Sequence, residues 1–454
     1  MKIKAIEAEF TSKDSILSEW NGKSDTSWYN KTSKKFHLNK AEQLAGLAEL
    51  VNVGEDNFKH KTIYLDSDLD LNWHNWLPIG GKVVDEAWYK SSYKRYFSGT
   101  FDGQHHFIKN LNTDSSNYCH GLFGYVVNGT IKRIKVINAH IYNKPNEFNN
   151  NIGIIADEIL NSYILGSYTT GKIAITSDSV EYSGGIVGLC KNISQVVGCY
   201  STATINIGTS NSTCIGGIVG GWDYQKCFSC CNSIISNCWF DGDINCTGSP
   251  FAGGIIGRGN SPGVQIRNCF VPNKNIICDE FDNVAIIGTI EEDSNVFTCY
   301  YPSNNTSEEN NIECKAINKV YKTLFGLCTF KDRSFDQNGH IIASKFHCDD
   351  TTVPYVTAIE DFNDKEFINK LNENTEPGVA WVQGINHPTF YYDDPNNISE
   401  LDTEIKNAKD ANDDNFDCCY PIRKRRKRLS VRQRRSQWWA GKRFPYITPW
   451  YVEY

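Results

Sequence analysis

Apolar residues in this chain gather into short runs that glycine introduces and polar turns separate. Five phrases carry the pattern: Gly121-Leu-Phe-Gly124, Gly153-Ile-Ile-Ala156, Gly185-Ile-Val-Gly188, Gly217-Ile-Val-Gly220 and Gly254-Ile-Ile-Gly257, with a degenerate sixth at Ala285-Ile-Ile-Gly288. Their starts lie 32, 32, 32, 37 and 31 residues apart. A period of this length marks stacked repeats, in which no unit buries its apolar face without its neighbours. Within each repeat the pattern reads as an apolar strand beside glycine, a polar turn, a second strand, and a third such as Ile131-Lys-Arg-Ile-Lys-Val-Ile137 or Gly242-Asp-Ile-Asn245. Several short strands per repeat with no helical pattern between them predict an all-β fold, a right-handed parallel β-helix. A leucine-rich repeat would need spaced leucines and a helical return, and the sequence has neither.

The first elements differ. Asn39-Lys-Ala-Glu42 has capping-box spacing, and Leu44, Leu47, Ala48 and Val51 follow as one helical stripe. A short helix is expected over 40–52, covering the open end of the solenoid, where bare strand edges invite aggregation. Lys61 to Leu71 then alternates at period two, with Ile63, Leu65, Leu69 and Leu71 on one face and Tyr64, Asp66, Asp68 and Asp70 on the other. The expected organisation is an N-terminal cap and lead-in over 1–60, the β-helix over 61–302, irregular terminal coils and a closing segment over 303–392, an acidic linker over 393–422 and a basic aromatic arm over 423–454.

The chain has 454 residues and is 40% hydrophobic and 13% aromatic, too rich in core-forming side chains for disorder. No apolar stretch is long enough to span a membrane, and the N-terminus has no apolar signal region, so ordinary export is not expected if the chain is complete. Seventeen cysteines would suit a small disulfide-stapled secreted protein, but their placement argues otherwise. Cys199, Cys269 and Cys299 fall at nearly the same offset from their repeat starts, and Cys238 follows later in the repeat that carries an insertion. Equivalent positions on stacked strands lie about 4.8 Å apart, so these four are expected to form an internal column of free thiols behaving as small hydrophobes. Gly121, Gly153, Gly185, Gly217 and Gly254 are read as structural residues of the turns.

Phe97-Ser-Gly-Thr-Phe-Asp-Gly-Gln-His-His-Phe-Ile-Lys-Asn-Leu111, followed by Gly121-Leu-Phe-Gly124, resembles the GLUG-motif repeats of bacterial and phage surface proteins and adhesins. The segment Phe36 to Ala45, the phrase Trp76-Leu-Pro-Ile-Gly80 and a closing piece from Asp364 through Trp381 to His387-Pro388 resemble the surroundings of such arrays, so the likeness covers roughly 30–392. It implies a β-solenoid used for attachment and defines no single activity. The chain departs from the pattern at His105-His106, where Gly-His is usual, and at Ala156 in place of the last glycine of the second phrase.

Charge concentrates at the far end. Arg423, Lys424, Arg425, Arg426, Lys427, Arg428, Arg432, Arg434, Arg435, Lys442 and Arg443 put eleven cations and no acid into 423–443, against a net charge of −7 for the whole chain. With Trp438 and Trp439 for stacking, this arm suits nucleic acid, and it equally suits an acidic protein surface such as a neighbouring copy, or contact with nothing specific. Other candidate chemistry has a plainer structural reading. Asp66, Asp68 and Asp70 could ligate Ca²⁺ but suit a soluble strand face. Cys227, Cys230, Cys231, Cys238 and Cys246 could hold zinc, yet their spacing is irregular. His105 and His106 would alternate faces if they lie on a strand, and so would not readily share an ion. No metal, no cofactor and no catalytic residue is expected.

The expectation is therefore a non-enzymatic attachment protein: a phage fibre or tail component in the virion, or an adhesin-like cell-surface protein, binding a cell-surface glycan or other receptor. The C-terminal arm would anchor it to other virion or surface proteins, and homo-oligomer formation stays open. Two rivals stand beside it. One is a polysaccharide depolymerase, which needs two carboxyls about 5–10 Å apart across a sugar. The other is a structural virion protein whose arm meets nucleic acid or an acidic partner.

Overall fold

A computed structural model describes residues 17, 19–83, 93–113, 119–143, 151–176, 180–208, 213–223, 233–247, 251–260, 264–273, 276–278, 284–291, 295–302, 315–321, 356–359, 361–375, 379–383 and 387–390. The chain divides into two compact units, Met1–Asn407 and Ala408–Tyr454. The second unit, with every residue of the expected basic arm, lies outside the described residues, as does the expected acidic linker.

In the first unit the described residues are mostly β. Strand pairing is parallel except in two short antiparallel pairs, Lys82–Val83 with Tyr93–Lys94 and Trp381–Val382 with Thr389–Phe390. A nine-stranded sheet runs in chain order through Lys35–Leu38, Thr62–Leu65, Thr100–Asp102, Thr130–Lys132, Tyr163–Leu165, Gln195–Val197, Ser233–Ser236, Val264–Arg267 and Asn295–Phe297. A seven-stranded sheet runs the same way from Phe123–Val127 through Ala156–Leu160, Val187–Lys191, Val219–Asp223, Ile256–Asn260 and Val284–Glu291 to Lys315–Tyr321. The main path of a ten-stranded sheet follows the same rule, from Leu69–Asp70 through Phe107–Lys109, Lys135–Asn143, Tyr168–Ile175, Thr204–Ile207 and Asp243–Cys246 to Ile276–Cys278. Each strand thus pairs with its counterpart one repeat away, because parallel neighbours need a long crossover between them.

Register explains why these residues fill the core. Phe36, Ile63, Phe101, Ile131, Ile164, Val196, Ile235, Ile266 and Val296 occupy one row of the nine-stranded sheet, and all are buried. β-Branched and aromatic side chains fit a pleated interior, and each contributes about 1.5–3 kcal/mol relative to exposure.

Chain direction changes between the nine- and ten-stranded sheets at left-handed residues: Arg133, Gly166, Gly198, Asn237, Asn268 and Thr298, with φ between 46° and 62°. The residue after each turns inward. Those residues are Ile134, Ser167, Cys199, Cys238, Cys269 and Cys299, all buried, and the four cysteines are free thiols. The thiols take over the hydroxyl's role at this corner. Ser167 Oγ donates to Leu165 O at 2.9 Å, and Cys199, Cys238 and Cys269 Sγ donate to Val197, Ser236 and Arg267 O at 3.4, 3.2 and 3.2 Å. Burial pushes the Cys238 thiol well above its ordinary range, and hydrogen bonding with Cys199 and Cys269 pushes the same way.

Four local readings need correction. The run 61–71 is not one strand: it breaks after Leu65 and resumes at Leu69, because the chain passes from one sheet to another, and Asp70 is buried. Ile131–Ile137 is likewise split at Arg133. A helix does span Ala41–Val53, but Lys40 is its N-cap and makes no side-chain cap; Gln43 Oε1 instead accepts from Asn39 N at 2.9 Å. The fourth correction is the register of the second repeat. Gly153 pairs with Gly184 rather than aligning with Gly185, and Ala156 pairs with Val187. Asp157 therefore occupies the place of Gly188, Gly220 and Gly257, and Ala156 is an ordinary strand residue. In those later repeats a Cβ on the glycine would strike the preceding repeat's backbone, at 2.6 Å from Ile152 N, 2.5 Å from Ser183 N and 2.4 Å from Ile215 N. The repeat before Asp157 has no strand assigned at 119–120, and the Asp157 carboxylate accepts from the amides of His120 (2.7 Å) and Gly121 (3.1 Å), together with Gly153 N (3.2 Å).

Candidate binding face

Two surfaces formed by the repeats carry regular ladders of side chains, and one of them is closed. Immediately after the inward column, Tyr168, Tyr200, Trp239, Phe270 and Tyr300 lie in register. Their rings stack, with centroids 4.1 Å (Tyr168–Tyr200), 4.4 Å (Tyr200–Trp239) and 6.1 Å (Trp239–Phe270) apart. The segment 361–390 covers this ladder. Its helix Lys365–Glu373, capped by Asp364, buries Phe367, Ile368 and Leu371. Phe362, Phe367 and Trp381 pack on Phe270, Phe390 on Tyr200, and His387 on Trp239 at 4.4 Å. Polar contacts fix the segment in place: Asn268 Nδ2 donates to Leu371 O (2.9 Å), Thr375 Oγ1 to Asn237 Oδ1 (3.1 Å), and His387 Nε2 lies 3.3 Å from Asp241 Oδ2. Burial, with the neighbouring Tyr168, pushes the Tyr200 phenol far above its ordinary range. An aromatic ladder closed in this way is interior packing.

The outward face of the ten-stranded sheet is the open one. Alternation buries Ile141, Ile173, Ile205 and Ile244 and turns the intervening residues outward. One outward row comprises Asn112, His140, Lys172, Thr204 and Asp243, and the next comprises Tyr142, Ala174, Asn206, Asn245 and Ile277. The rows are partly tied to each other: Asn245 Nδ2 donates to Asn206 Oδ1 at 2.9 Å. At one edge stands Trp73, 45% exposed, its ring edge-on to His140 at 6.4 Å. Its loop is fixed by short-range contacts. Asn72 and Trp73 are both left-handed (φ 48° and 59°), Asp70 Oδ1 accepts from Asn72 N at 2.8 Å, and Asn112 Nδ2 donates to Trp73 O at 3.2 Å. The aromatic ring is therefore held in water by a shaped turn, while Trp76, three residues on, is buried.

The carboxylates singled out in the sequence are engaged between repeats. Asp66 meets His37 Nδ1 (2.9 Å) and Gln104 Nε2 (2.8 Å). Asp68 meets His106 Nδ1 and Phe107 N, both at 3.0 Å. Asp70 meets Asn110 Nδ2 (2.8 Å) and Lys109 Nζ (3.1 Å). His105 lies in a left-handed turn, so it and His106 are not strand neighbours on alternate faces. Buried Asp102 pairs with Arg133 and Lys132, and Glu158 with Lys191 at 3.1 Å. Burial alone would raise the Asp102 pKa, but the hydrogen bond from Arg133 and the charges of Lys132 and Arg133 outweigh it and hold the carboxyl below its ordinary range. Among the described residues no three His, Cys, Asp or Glu side chains are placed to share a metal ion. Cys246 is disulfide-bonded, against its place in the zinc alternative, and Cys227, Cys230 and Cys231 lie outside the described residues. The arm residues Arg423–Arg428, Arg432, Arg434, Arg435, Trp438 and Trp439 lie outside them too. Trp73, His140 and Lys172 were not legible as a group, because 32 or more residues separate each from the next and only the sheet register brings them to one edge.

No family model and no curated protein matches the chain. Among solved structures it is similar to the crystal structure of "a putative immunoglobulin A1 protease" from Bacteroides ovatus, at 19% identity and a TM-score of 0.51, over 80% of this chain and 94% of that one. At that identity the likeness is one of fold.

Proposed function

We propose that this chain is a right-handed parallel β-helix of the GLUG-repeat kind, and that it serves as a non-enzymatic attachment protein, a phage fibre or tail component or an adhesin-like surface protein, binding a cell-surface glycan. The recurrence of three sheets in chain order, one repeat apart, supports the solenoid. The observation that carries the function is the open face: Trp73 is held exposed beside outward rows of His, Tyr, Asn, Thr and Lys. Sugars are bound by a flat aromatic ring with hydrogen-bonding groups around it. The use of Asp66, Asp68, Asp70, Asp102, Asp157 and Glu158 in contacts between or within repeats favours a scaffold over a hydrolase. The basic arm then anchors the protein to its particle or surface.

A glycan array probed with the intact protein and with Trp73→Ala tests this. Signal that depends on Trp73 and survives deletion of 421–454 supports attachment through the open face. Release of reducing ends from a bound polysaccharide would replace it with the depolymerase reading, and salt-sensitive nucleic-acid binding lost on that deletion would favour the structural virion reading.

A further inference from the structure

Resting on the glycan-binding reading, we infer that the Trp73 end of the open face selects a single terminal carboxylated sugar, a uronic or sialic acid, rather than a neutral sugar or a polyanion. Lys172 occupies the register position next to His140, and His140 is the residue against which Trp73 is set. Lys172 is exposed, and no acid pairs with it among the described residues. Lys109, on the same sheet, is by contrast bound to Asp70. A cation one strand spacing, about 4.8 Å, beyond His140 lies where the carboxylate of a sugar stacked on Trp73 would fall. Tyr142, two residues along the His140 strand and half-buried, borders the same spot.

Charge then changes sign along the row. Beyond Lys172 come Thr204 and Asp243, and Thr204 Oγ1 lies 3.5 Å from the Asp243 carboxylate. A uniformly charged polyanion lying along the row would meet Asp243, so repulsion restricts the negative charge to the Trp73 end. The acids at the Trp73 loop are engaged: Asp70 accepts from Asn72 N at 2.8 Å and pairs with Lys109 at 3.1 Å, and Glu19 accepts from Asn72 Nδ2 at 3.4 Å. The arrangement suits a glycan acidic at its tip and neutral beyond.

Calorimetric titration of the full-length protein with 3′-sialyllactose, a glucuronate-terminated oligosaccharide, lactose and an oligogalacturonate tests the assignment. The acid-tipped sugars should bind about two- to fivefold more tightly than lactose, the yield of an exposed charge pair, and the preference should shrink at high salt. Lys172→Glu should abolish or invert the preference for acid-tipped sugars over lactose, and Asp243→Asn should admit the oligogalacturonate. Thermal melts of each variant show whether it is folded. Equal binding of acid-tipped and neutral sugars, or a preference unchanged in a folded Lys172→Glu, overturns this inference while leaving glycan attachment standing. Absence of binding to any glycan, on an array as well as here, overturns both.

Discussion

Replacing Gly216 with alanine tests whether the chain packs backbone against its own backbone at the corner between Cys214–Gly216 and Val219–Asp223. Gly216 stacks in register between Gly184 and Gly253. A Cβ there would lie 1.8 Å from Val219 O, 2.6 Å from Val219 C and 3.0 Å from Gly257 N. Every obstructing atom is backbone, so no side chain can swing aside. The strands on either side are equally tight, at 2.0 Å for Gly184 to Val187 O and 2.4 Å for Gly253 to Ile256 O, so a local shift would only pass the clash on. Overpacking of a well-filled interior costs about 1–3 kcal/mol, and rigid obstruction places Gly216→Ala near the upper figure, a loss in the folded-to-unfolded ratio on the order of a hundredfold. Gly208→Ala is the control, because among the described residues its Cβ would meet only Ile175 O, at 3.8 Å. Guanidinium titration followed by circular dichroism should show an earlier midpoint for Gly216→Ala and an unmoved one for Gly208→Ala. Hydrogen exchange should place the weakening at Cys214–Gly216 and at the strands paired with it, Tyr182–Gly184 and Phe251–Gly253. Equal midpoints for the two variants would refute the reasoning.

Three further outcomes follow from buried polar groups. Asp157→Ala removes the acceptor of the His120, Gly121 and Gly153 amides and should destabilise by about 1–3 kcal/mol for the stranded donors, with faster exchange at His120 and Gly121 as the local readout. Because the Asp102 carboxyl is depressed in the folded state, the stability it contributes is intact above the ordinary aspartate pKa of about 3.9 and is lost as pH falls through the lower folded value. Asp102→Asn should therefore lower stability at neutral pH and flatten the acid limb below about pH 4, measured by denaturant midpoints across pH. Burial pushes the Cys190 and Cys238 thiols well above their ordinary range and Cys214 up to about 12. Because all six are buried, iodoacetamide at pH 8 should leave Cys190, Cys199, Cys214, Cys238, Cys269 and Cys299 unmodified in the native protein and alkylate them in denaturant, as mass spectrometry would show.

The sequence by itself determined what repeats with a period. Recurrent glycine-led phrases, alternating apolar residues and the stripe from Leu44 to Val51 specified a mostly β chain with parallel pairing and a helix near its start, because burial of one face leaves a local periodic trace. The nearly equal offsets of Cys199, Cys269 and Cys299 carried their equivalence in the same way. Contacts between repeats left no such trace, since they depend on which residue lies over which, and a single displaced residue shifts that pairing. Only the tertiary structure showed that Asp157, not Ala156, stands in the place of a glycine, because that depends on its register with Gly188 and on the His120 and Gly121 amides of the preceding repeat. Only the structure closed the ladder from Tyr168 to Tyr300 under the segment 361–390, more than sixty residues beyond its last ring, and left Trp73 exposed while burying Trp76. Exposure is a property of what covers a side chain, and here the covering residues are remote in sequence.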